Sequence, residues 1–308
     1  MTSGSTAGAR VLRLAGHLCR LGLAVVFLLA GGLKMLDPEG FAREAAQYGI
    51  LPAWLTGPFA GLLLPLEVAV GAALLLNFRP VLALGLAAGM LLLFIGAISF
   101  ALATDQPLEA CGCFGRNITR TPSQTLVEDL LFLGAALLGM AGLRGAQTAP
   151  RWKGAVLVAV LVASTAFVIA SPHLPIDDLA TSIRPGARWS DLGVGLAEVD
   201  LGKGAYLVAI MGMKDEATAA RLPELNELAS AGRFTVVGLH GDDDEAYNEF
   251  FWSRGPAFPI YKITASDLRV MHRRLPRCFA VKDGTVTATW PGVPTAAAAA
   301  AALGTAPS

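Results

Sequence analysis

The first half of the chain is dominated by long apolar stretches. Between Leu21 and Ile169, runs of Leu, Ala, Val, Gly and Phe are interrupted by short polar segments. A helix needs about 20 mostly apolar residues to cross a bilayer core about 30 Å thick. The pattern therefore predicts five transmembrane helices, over roughly residues 16–36, 58–76, 81–103, 126–143 and 154–170.

The second half has the pattern of a globular α/β domain. Between His173 and Trp290, short apolar runs alternate with amphipathic segments, which predicts strands and helices in turn. Asp283-Gly284 between two strand-like runs is a strong hairpin signal. The predicted strands cover 205–211, 234–239, 278–281 and 285–290, and the predicted helices cover 218–231 and 244–254. The Ala-rich segment 295–303 is compatible with a last helix or a frayed end.

These patterns predict an α-helical membrane bundle followed by an α/β soluble domain. We expect a cytoplasmic tail over 1–15, a four-helix membrane domain over 16–145, a fifth membrane helix with its linker over 146–172, and an extracytoplasmic domain over 173–308. The apolar core of the first helix is long and further spans follow, so we expect it to be retained rather than cleaved as a signal peptide.

Composition supports this interpretation. Of the 308 residues, 54% are hydrophobic and 16% are charged, which excludes disorder for most of the chain. Lys and Arg number 24, and so do Asp and Glu, so the chain has no basic footprint for nucleic acid. The lipid bilayer is therefore the first expected partner.

The basic residues of the short loops favour a cytoplasmic N-terminus. With five spans, this orientation places the loop after the third helix and the whole second half outside the cytoplasm, where disulfides persist. The basic residues expected in the cytoplasm are Arg10, Arg13, Arg79, Arg144, Arg151 and Lys153.

Two charged residues accompany the predicted spans. Glu67 lies near the middle of the second span, where a charge costs about 3 kcal/mol, so it is either functional or bonded to a neighbouring helix. Lys34, at the outer end of the first span, is either its partner or a lysine that snorkels to the headgroups. The segment Phe41–Trp54 is amphipathic, with Phe41, Ala45 and Tyr48 on one face, and we expect an interfacial helix.

Two cysteines separated by one glycine form the strongest candidate for chemistry. Cys111-Gly112-Cys113 lies in the outward loop between the third and fourth spans, and Gly112 permits the sulfurs to approach each other. The pair is compatible with a redox-active disulfide, a soft-metal site for copper or zinc, or a structural staple. The loop contains no His, and a structural zinc site usually needs four ligands, so the loop alone does not supply a complete ligand set.

The remaining cysteines lie elsewhere. Cys278 follows Pro276 by two residues and is either a buried core residue or a lone thiol able to form a mixed disulfide with a client or with Cys111 or Cys113. Cys19, in the first span, is expected to be a packing residue.

Residues 15–143 resemble the MauE branch of the DoxX-like membrane proteins. The resemblance rests on Ala30-Gly-Gly-Leu-Lys34-Met-Leu-Asp-Pro-Glu-Gly-Phe41, Tyr48-Gly-Ile-Leu-Pro52, Leu64-Pro-Leu-Glu67 and Cys111-Gly-Cys-Phe-Gly115. It implies a four-helix bundle similar in outline to vitamin K epoxide reductase-like proteins, with a membrane quinone as electron acceptor. It also implies that Cys111, Cys113, Lys34 and Glu67 take the places of the family's paired cysteines and membrane charges.

Within the second half, residues 185–290 resemble an extracytoplasmic thioredoxin-like domain of the TlpA type. Leu222-Pro-Glu-Leu-Asn-Glu-Leu228 is similar to the helix after the redox motif, and Leu275-Pro276 is similar to the cis-proline position. Counting back from Pro223, the places of the two active cysteines fall on Asp215 and Thr218, which cannot exchange disulfides.

The MauE resemblance implies a role in methylamine utilisation, in maturing the disulfide-rich small subunit of methylamine dehydrogenase. We therefore expect an integral protein of the bacterial cytoplasmic membrane that assists disulfide formation in an extracytoplasmic client with thiols or disulfides. The candidate catalytic residues are Cys111, Cys113, Glu67, Lys34 and Cys278. The alternatives are a scaffold with a structural cysteine pair and a copper- or zinc-handling membrane protein.

Overall fold

The computed structural model describes residues 3–104, 121–145, 150–192 and 200–305. The chain divides into two compact units, Met1–Leu174 and Pro175–Ser308.

Helices account for the first unit. In chain order they are α1 (Ser3–Met35), α2 (Pro38–Gln47), α3 (Ala53–Leu75), α4 (Pro80–Ala103), α5 (Pro122–Gly142) and α6 (Arg151–Ala170). Among the described residues, five helices are long and apolar enough to cross a membrane, and α2 is the one that is too short. The five predicted membrane helices are therefore confirmed, and the protein is a multi-pass membrane protein.

Helix α5 begins earlier than its apolar run because its first turn is stabilised by capping. The Thr121 hydroxyl accepts a hydrogen bond from the Gln124 amide at 3.3 Å, and the Gln124 side chain accepts one from the Thr121 amide at 3.2 Å. Pro122 occupies the first helical position, where its missing N–H has no cost. Asp129 therefore lies inside the helix rather than near its start.

Glycines let the helices of the bundle approach one another closely. Helix α1 packs against α3 and α5, and α4 packs against α5. A Cβ atom added at Gly142 of α5 would lie 2.4 Å from the carbonyl oxygen of Leu12 and 3.1 Å from Cα of Gly16. The α1–α5 contact is thus backbone against backbone, with no room for a methyl group.

A buried arginine contacts the C-terminal end of α3. The loop charges predict that this end of the helix faces the cytoplasm. The Arg20 side chain in α1 is 7% exposed, and its guanidinium donates to the carbonyls of Leu74 and, at 3.2 Å, Leu75. The last carbonyls of a helix have no partner within the helix, so Arg20 satisfies them and has its own charge stabilised by the helix dipole.

The second unit is built on a five-stranded mixed sheet. Its strands are β1 (Ala205–Ile210), β2 (Thr235–His240), β3 (Ile260–Lys262), β4 (Arg277–Lys282) and β5 (Thr285–Trp290). They lie in the order β3-β2-β1-β4-β5, with β1, β2 and β3 parallel, β4 antiparallel to β1, and β5 antiparallel to β4. The helices are α7 (Asp177–Ala180), α8 (Glu216–Ser230), α9 (Asp244–Arg254), α10 (Ala265–Arg269) and α11 (Ala296–Leu303). Two hydrophobic clusters pack around the sheet.

This architecture is consistent with an α/β thioredoxin-like domain. All four predicted strands and both predicted helices are present, and the Leu275–Pro276 peptide bond is cis. The Ala-rich tail forms helix α11, whose first turn is capped by Thr295. Strand β3 and helix α10, three and five residues long, were not predicted because such short elements have little periodicity.

We expect Gly142→Ala to destabilise the bundle by about 1–3 kcal/mol, because the new methyl group must push α1 away from α5. Thermal unfolding of the detergent-solubilised protein measures the loss. Gly134→Ala on the same helix is the matched control, because a Cβ atom there meets nothing within 4 Å. Equal unfolding temperatures for the two variants would contradict the close contact.

Candidate functional site: a buried ion pair beside an apolar cavity

Lys34 and Glu67 form a buried ion pair inside the helical bundle. The Lys34 ammonium lies 2.9 Å and 3.0 Å from the two carboxylate oxygens of Glu67. The two residues are 5% and 3% exposed. Lys34 is therefore the partner of Glu67, and the alternative that Lys34 snorkels to the headgroups is wrong.

Glycines on α1 and α3 bring these two charges together. A Cβ atom at Gly31 would lie 2.8 Å from Cγ2 of Val68, and one at Gly71 would lie 3.0 Å from the backbone nitrogen of Leu28. Because the helix axes approach closely here, the long Lys34 side chain at the end of α1 reaches the carboxylate of Glu67 on α3.

Aromatic rings and a third charged residue surround the pair. The Lys34 ammonium lies 5.4 Å from the ring centroid of Phe41 on α2 and 5.3 Å from that of Phe94 on α4, within cation–π range. Asp129 on α5 is 6% exposed and within electrostatic reach of both Lys34 and Glu67. Sequence reasoning missed Asp129, although an acid inside an otherwise apolar helix was a usable signal.

A cavity of about 350 Å³ adjoins the ion pair. Among the described residues, its lining is apolar apart from Lys34, Glu44 and Tyr48, and it is contributed mainly by α2, α3 and α4. Four of the lining side chains are aromatic: Phe41, Tyr48, Phe59 and Phe94.

Helix α2 forms one wall of this cavity, which corrects the prediction for segment 41–54. The helix ends at Gln47, because Gly49 takes a left-handed conformation with φ of 68°, and Trp54 belongs to α3. Phe41, Ala45 and Tyr48 do share one face, as predicted, but that face lines the cavity.

Cys111 and Cys113 lie outside the described residues. Their loop joins α4 to α5, the helices that carry Phe94 and Asp129. Within the part of the chain that the structure describes, no group of three His, Cys, Asp or Glu side chains could hold a metal ion.

Cys278 is a core residue of the soluble unit. It lies on β4 between Ala209 of β1 and Trp290 of β5, and it is fully buried. Burial raises the pKa of its thiol to about 12. Since the thiolate is the nucleophile, this environment favours the packing role over a mixed disulfide.

Asp215 and Thr218 stabilise the start of α8. One Asp215 carboxylate oxygen accepts hydrogen bonds from the amide and the hydroxyl of Thr218, both at 2.8 Å. The Thr218 hydroxyl accepts a bond from the Gly212 amide at 3.3 Å. The two positions that the resemblance assigns to redox cysteines therefore form a helix cap.

Removing one member of the ion pair should cost more than removing both. We expect Glu67→Leu to lower the free energy of unfolding by about 3–5 kcal/mol, because the Lys34 ammonium loses its nearest counter-charge. The double variant Lys34→Leu/Glu67→Leu should recover most of that loss. Unfolding in detergent measures both, and a double variant as unstable as the sum of the two single variants would contradict the pairing.

The Cys278 thiol should be unreactive until the domain unfolds. In a variant with Cys19, Cys111 and Cys113 replaced by Ser, we expect N-ethylmaleimide at pH 8 to label the folded protein very slowly. The raised pKa reduces the thiolate population about a thousandfold relative to an ordinary cysteine. Mass spectrometry measures the labelling, and the same variant in urea is the control. Equal rates in the two states would show that Cys278 is accessible.

Comparison with known proteins links the first unit to one family. The family described as methylamine utilisation protein MauE matches residues 12–142. The methylamine utilization protein MauE of Methylophilus methylotrophus is 32% identical over 117 residues, which are 37% of this chain and 62% of that protein. MauE of Paracoccus denitrificans is 32% identical over 152 residues, which are 49% of this chain and 80% of that protein.

The matched region contains the whole of α2, α3, α4 and α5 and most of α1, and so includes Lys34, Glu67, Asp129 and the cavity. The chain belongs to the MauE family of membrane proteins.

Proposed function

We propose that this protein takes part in methylamine utilisation by assisting disulfide formation in an extracytoplasmic client. The family and the names of the two relatives support the pathway. The client would carry thiols that must be joined into disulfides. The family resemblance implies that this client is the disulfide-rich small subunit of methylamine dehydrogenase.

The Cys111–Gly112–Cys113 pair carries the chemistry of this proposal. A client thiolate attacks the Cys111–Cys113 disulfide and forms a mixed disulfide, which a second client thiolate resolves. The client leaves with a disulfide, and the pair is left as two thiols. A lipid-soluble two-electron acceptor then takes two electrons and two protons from the pair and restores its disulfide.

The observation that carries the proposal is the cluster of buried charged residues among helices that include α4 and α5, which the cysteine loop joins along the chain. The cysteine loop joins α4 to α5, and these helices contribute Phe94 and Asp129 to the cluster around Lys34 and Glu67. Charged groups inside a membrane bundle are costly, and they mark functional sites more often than packing sites.

Membrane orientation gives the second unit its part in the proposal. The loop charges favour a cytoplasmic N-terminus in a bacterial cytoplasmic membrane, with the cysteine loop and the second unit both on the outer side. Asp215 and Thr218 cap a helix and cannot exchange disulfides. The second unit would therefore bind or position the client without reacting with it.

We expect Cys111→Ser and Cys113→Ser each to abolish the protein's effect on client disulfides. Thiol trapping of extracytoplasmic proteins from cells grown on methylamine, followed by mass spectrometry, measures this effect. Each single variant retains only one sulfur of the pair, so no Cys111–Cys113 disulfide can form for a client thiolate to attack.

Cys278→Ser and Cys19→Ser are the matched controls and should leave client disulfides unchanged. Two results would count against the proposal: an unchanged disulfide profile in both loop variants, or a Cys111–Cys113 bridge that never turns over under mild reductant. The second result would identify the pair as a structural staple.

A further inference from the structure

An apolar groove of about 230 Å³ lies between α3, α4 and α6. Among the described residues that line it, Arg79 is the one polar residue. The lining residues of α3 extend from Leu66 to Ala73, which is about 10 Å along a helix that rises 1.5 Å per residue. Leu82 and Val158, which also line the groove, are 55% and 62% exposed. The groove is therefore an open, apolar channel on the membrane-facing surface, with a charged residue at one end.

The turn between α3 and α4 places Arg79 at that end. Asn77 and Arg79 both adopt left-handed backbone conformations, with φ of 52° and 40°, and Arg79 directly precedes the first residue of α4. The Arg79 guanidinium lies 6.0 Å from the ring centroid of Phe78. A Cβ atom added at Gly154 of α6 would lie 3.8 Å from the same ring. The turn therefore brings Arg79 beside the first turns of both α4 and α6.

Helix α6 adds two basic residues at the same end of the groove. Arg151 and Lys153 lie in its first turn. Arg151 comes seven residues before Val158, and Lys153 comes four residues before Leu157, so both lie on the side of α6 that lines the groove. Trp152 between them is 59% exposed, and an exposed Trp at the end of a membrane helix is typical of headgroup depth.

The neighbouring helix segments supply no carboxylate to balance these three charges. The sequence contains no Asp or Glu in residues 1–36, 68–104 or 130–176, which include all of α1, α4 and α6 and the adjoining parts of α3 and α5. The N-cap residues of α4 and α6, Arg79 and Pro150, make no capping hydrogen bond with their side chains. An anion here would therefore meet three basic side chains and the positive ends of two helix dipoles.

The basic end and the apolar channel together favour an anionic phospholipid over other ligands. A small free anion would leave the apolar channel uncovered, whereas the choline ammonium of a neutral lipid would lie among three cations. The phosphate and the acyl chain of an anionic lipid use both parts of the site. Basic pockets between membrane helices on the cytoplasmic side commonly bind anionic headgroups, and the loop charges predict that this end faces the cytoplasm.

We infer that the groove between α3, α4 and α6 binds an anionic phospholipid, with an acyl chain along the groove and the phosphate held by Arg79, Arg151 and Lys153. Helix α6 lies outside the segment that matches the MauE family, so this site combines the family domain with a helix that follows it. The site uses neither the cysteine pair nor the Lys34–Glu67 ion pair, and it is independent of the proposed function.

Native mass spectrometry of the full-length protein tests the binding. The protein in detergent is titrated with palmitoyl-oleoyl phosphatidylglycerol, or with phosphatidylcholine that carries the same acyl chains. We expect phosphatidylglycerol to form a saturable one-lipid adduct with an affinity about tenfold or more above that of phosphatidylcholine. Arg79→Gln should weaken this adduct about fivefold, because one basic side chain contributes roughly that factor beside an anionic lipid.

Variants that fill the groove test the place of the acyl chain. Ala69→Phe and Ala73→Phe leave the charge unchanged, and each should weaken the phosphatidylglycerol adduct about tenfold or more, because the added ring occupies the channel. Two exposed positions outside the groove lining provide the matched controls. Arg13→Gln removes a basic residue from α1, Ala159→Phe adds a ring to another side of α6, and both should bind like the unaltered protein.

Unfolding temperatures verify which variants are folded, and the results are compared among those. Equal affinities for the two lipids would overturn the inference. Equal losses in Arg79→Gln and Arg13→Gln would also overturn it, because the lipid would then respond to the basic surface as a whole. Normal binding by a folded groove-filling variant would show that the acyl chain lies elsewhere. Cys111→Ser/Cys113→Ser should keep the adduct, so a failure of the proposed redox function would leave the lipid site standing.

Discussion

The bundle depends on one electrostatic constraint, the contact between Lys34 and Glu67. Each charge alone would be costly among apolar helices, so the pair is tolerated only while both side chains meet. That requirement fixes how α1 lies along α3, and the narrow contacts at Gly31 and Gly71 make it sterically feasible. The rings of Phe41 and Phe94 then pack beside the ammonium, so the same contact places α2 and α4.

The arrangement of α2 explains how a bundle of apolar helices can keep an open space. Helix α2 packs on the bundle through Phe41, Ala45 and Tyr48, and it covers the space between α3 and α4 without filling it. The ion pair stands at one wall of that space, and the cysteine loop begins after α4 and returns at α5. Buried charge and apolar space are thus brought together by neighbouring helices of a single domain.

The sequence predicted those features that depend on local pattern. The number of membrane helices follows from the lengths of the apolar segments. The strands and helices of the second unit follow from the periodicity of its apolar residues and from the Asp283-Gly284 turn. The sequence did not decide whether Lys34 pairs with Glu67, because the pairing depends on which helices are in contact. The glycine positions identify that contact only once the helices are assembled. Asp129 was not identified as a site residue because the apolar run placed it near the start of its helix. The helix in fact begins earlier, at a capping box that a hydropathy pattern does not detect. The cavity has no signature in the sequence, because it arises from side chains that are far apart along the chain.

The cap at the start of α8 has a consequence for protein design. Asp215 places a negative charge at the positive end of a helix dipole, which is the environment that lowers the pKa of a reactive thiol. Cysteines introduced at positions 215 and 218 would replace the Asp215 carboxylate with a thiolate, and the dipole of α8 would stabilise that negative charge as well. The replacement would also remove the two hydrogen bonds that now stabilise the first turn of the helix. This domain is a natural starting scaffold for an engineered oxidoreductase, and restoring its first turn would be the main task.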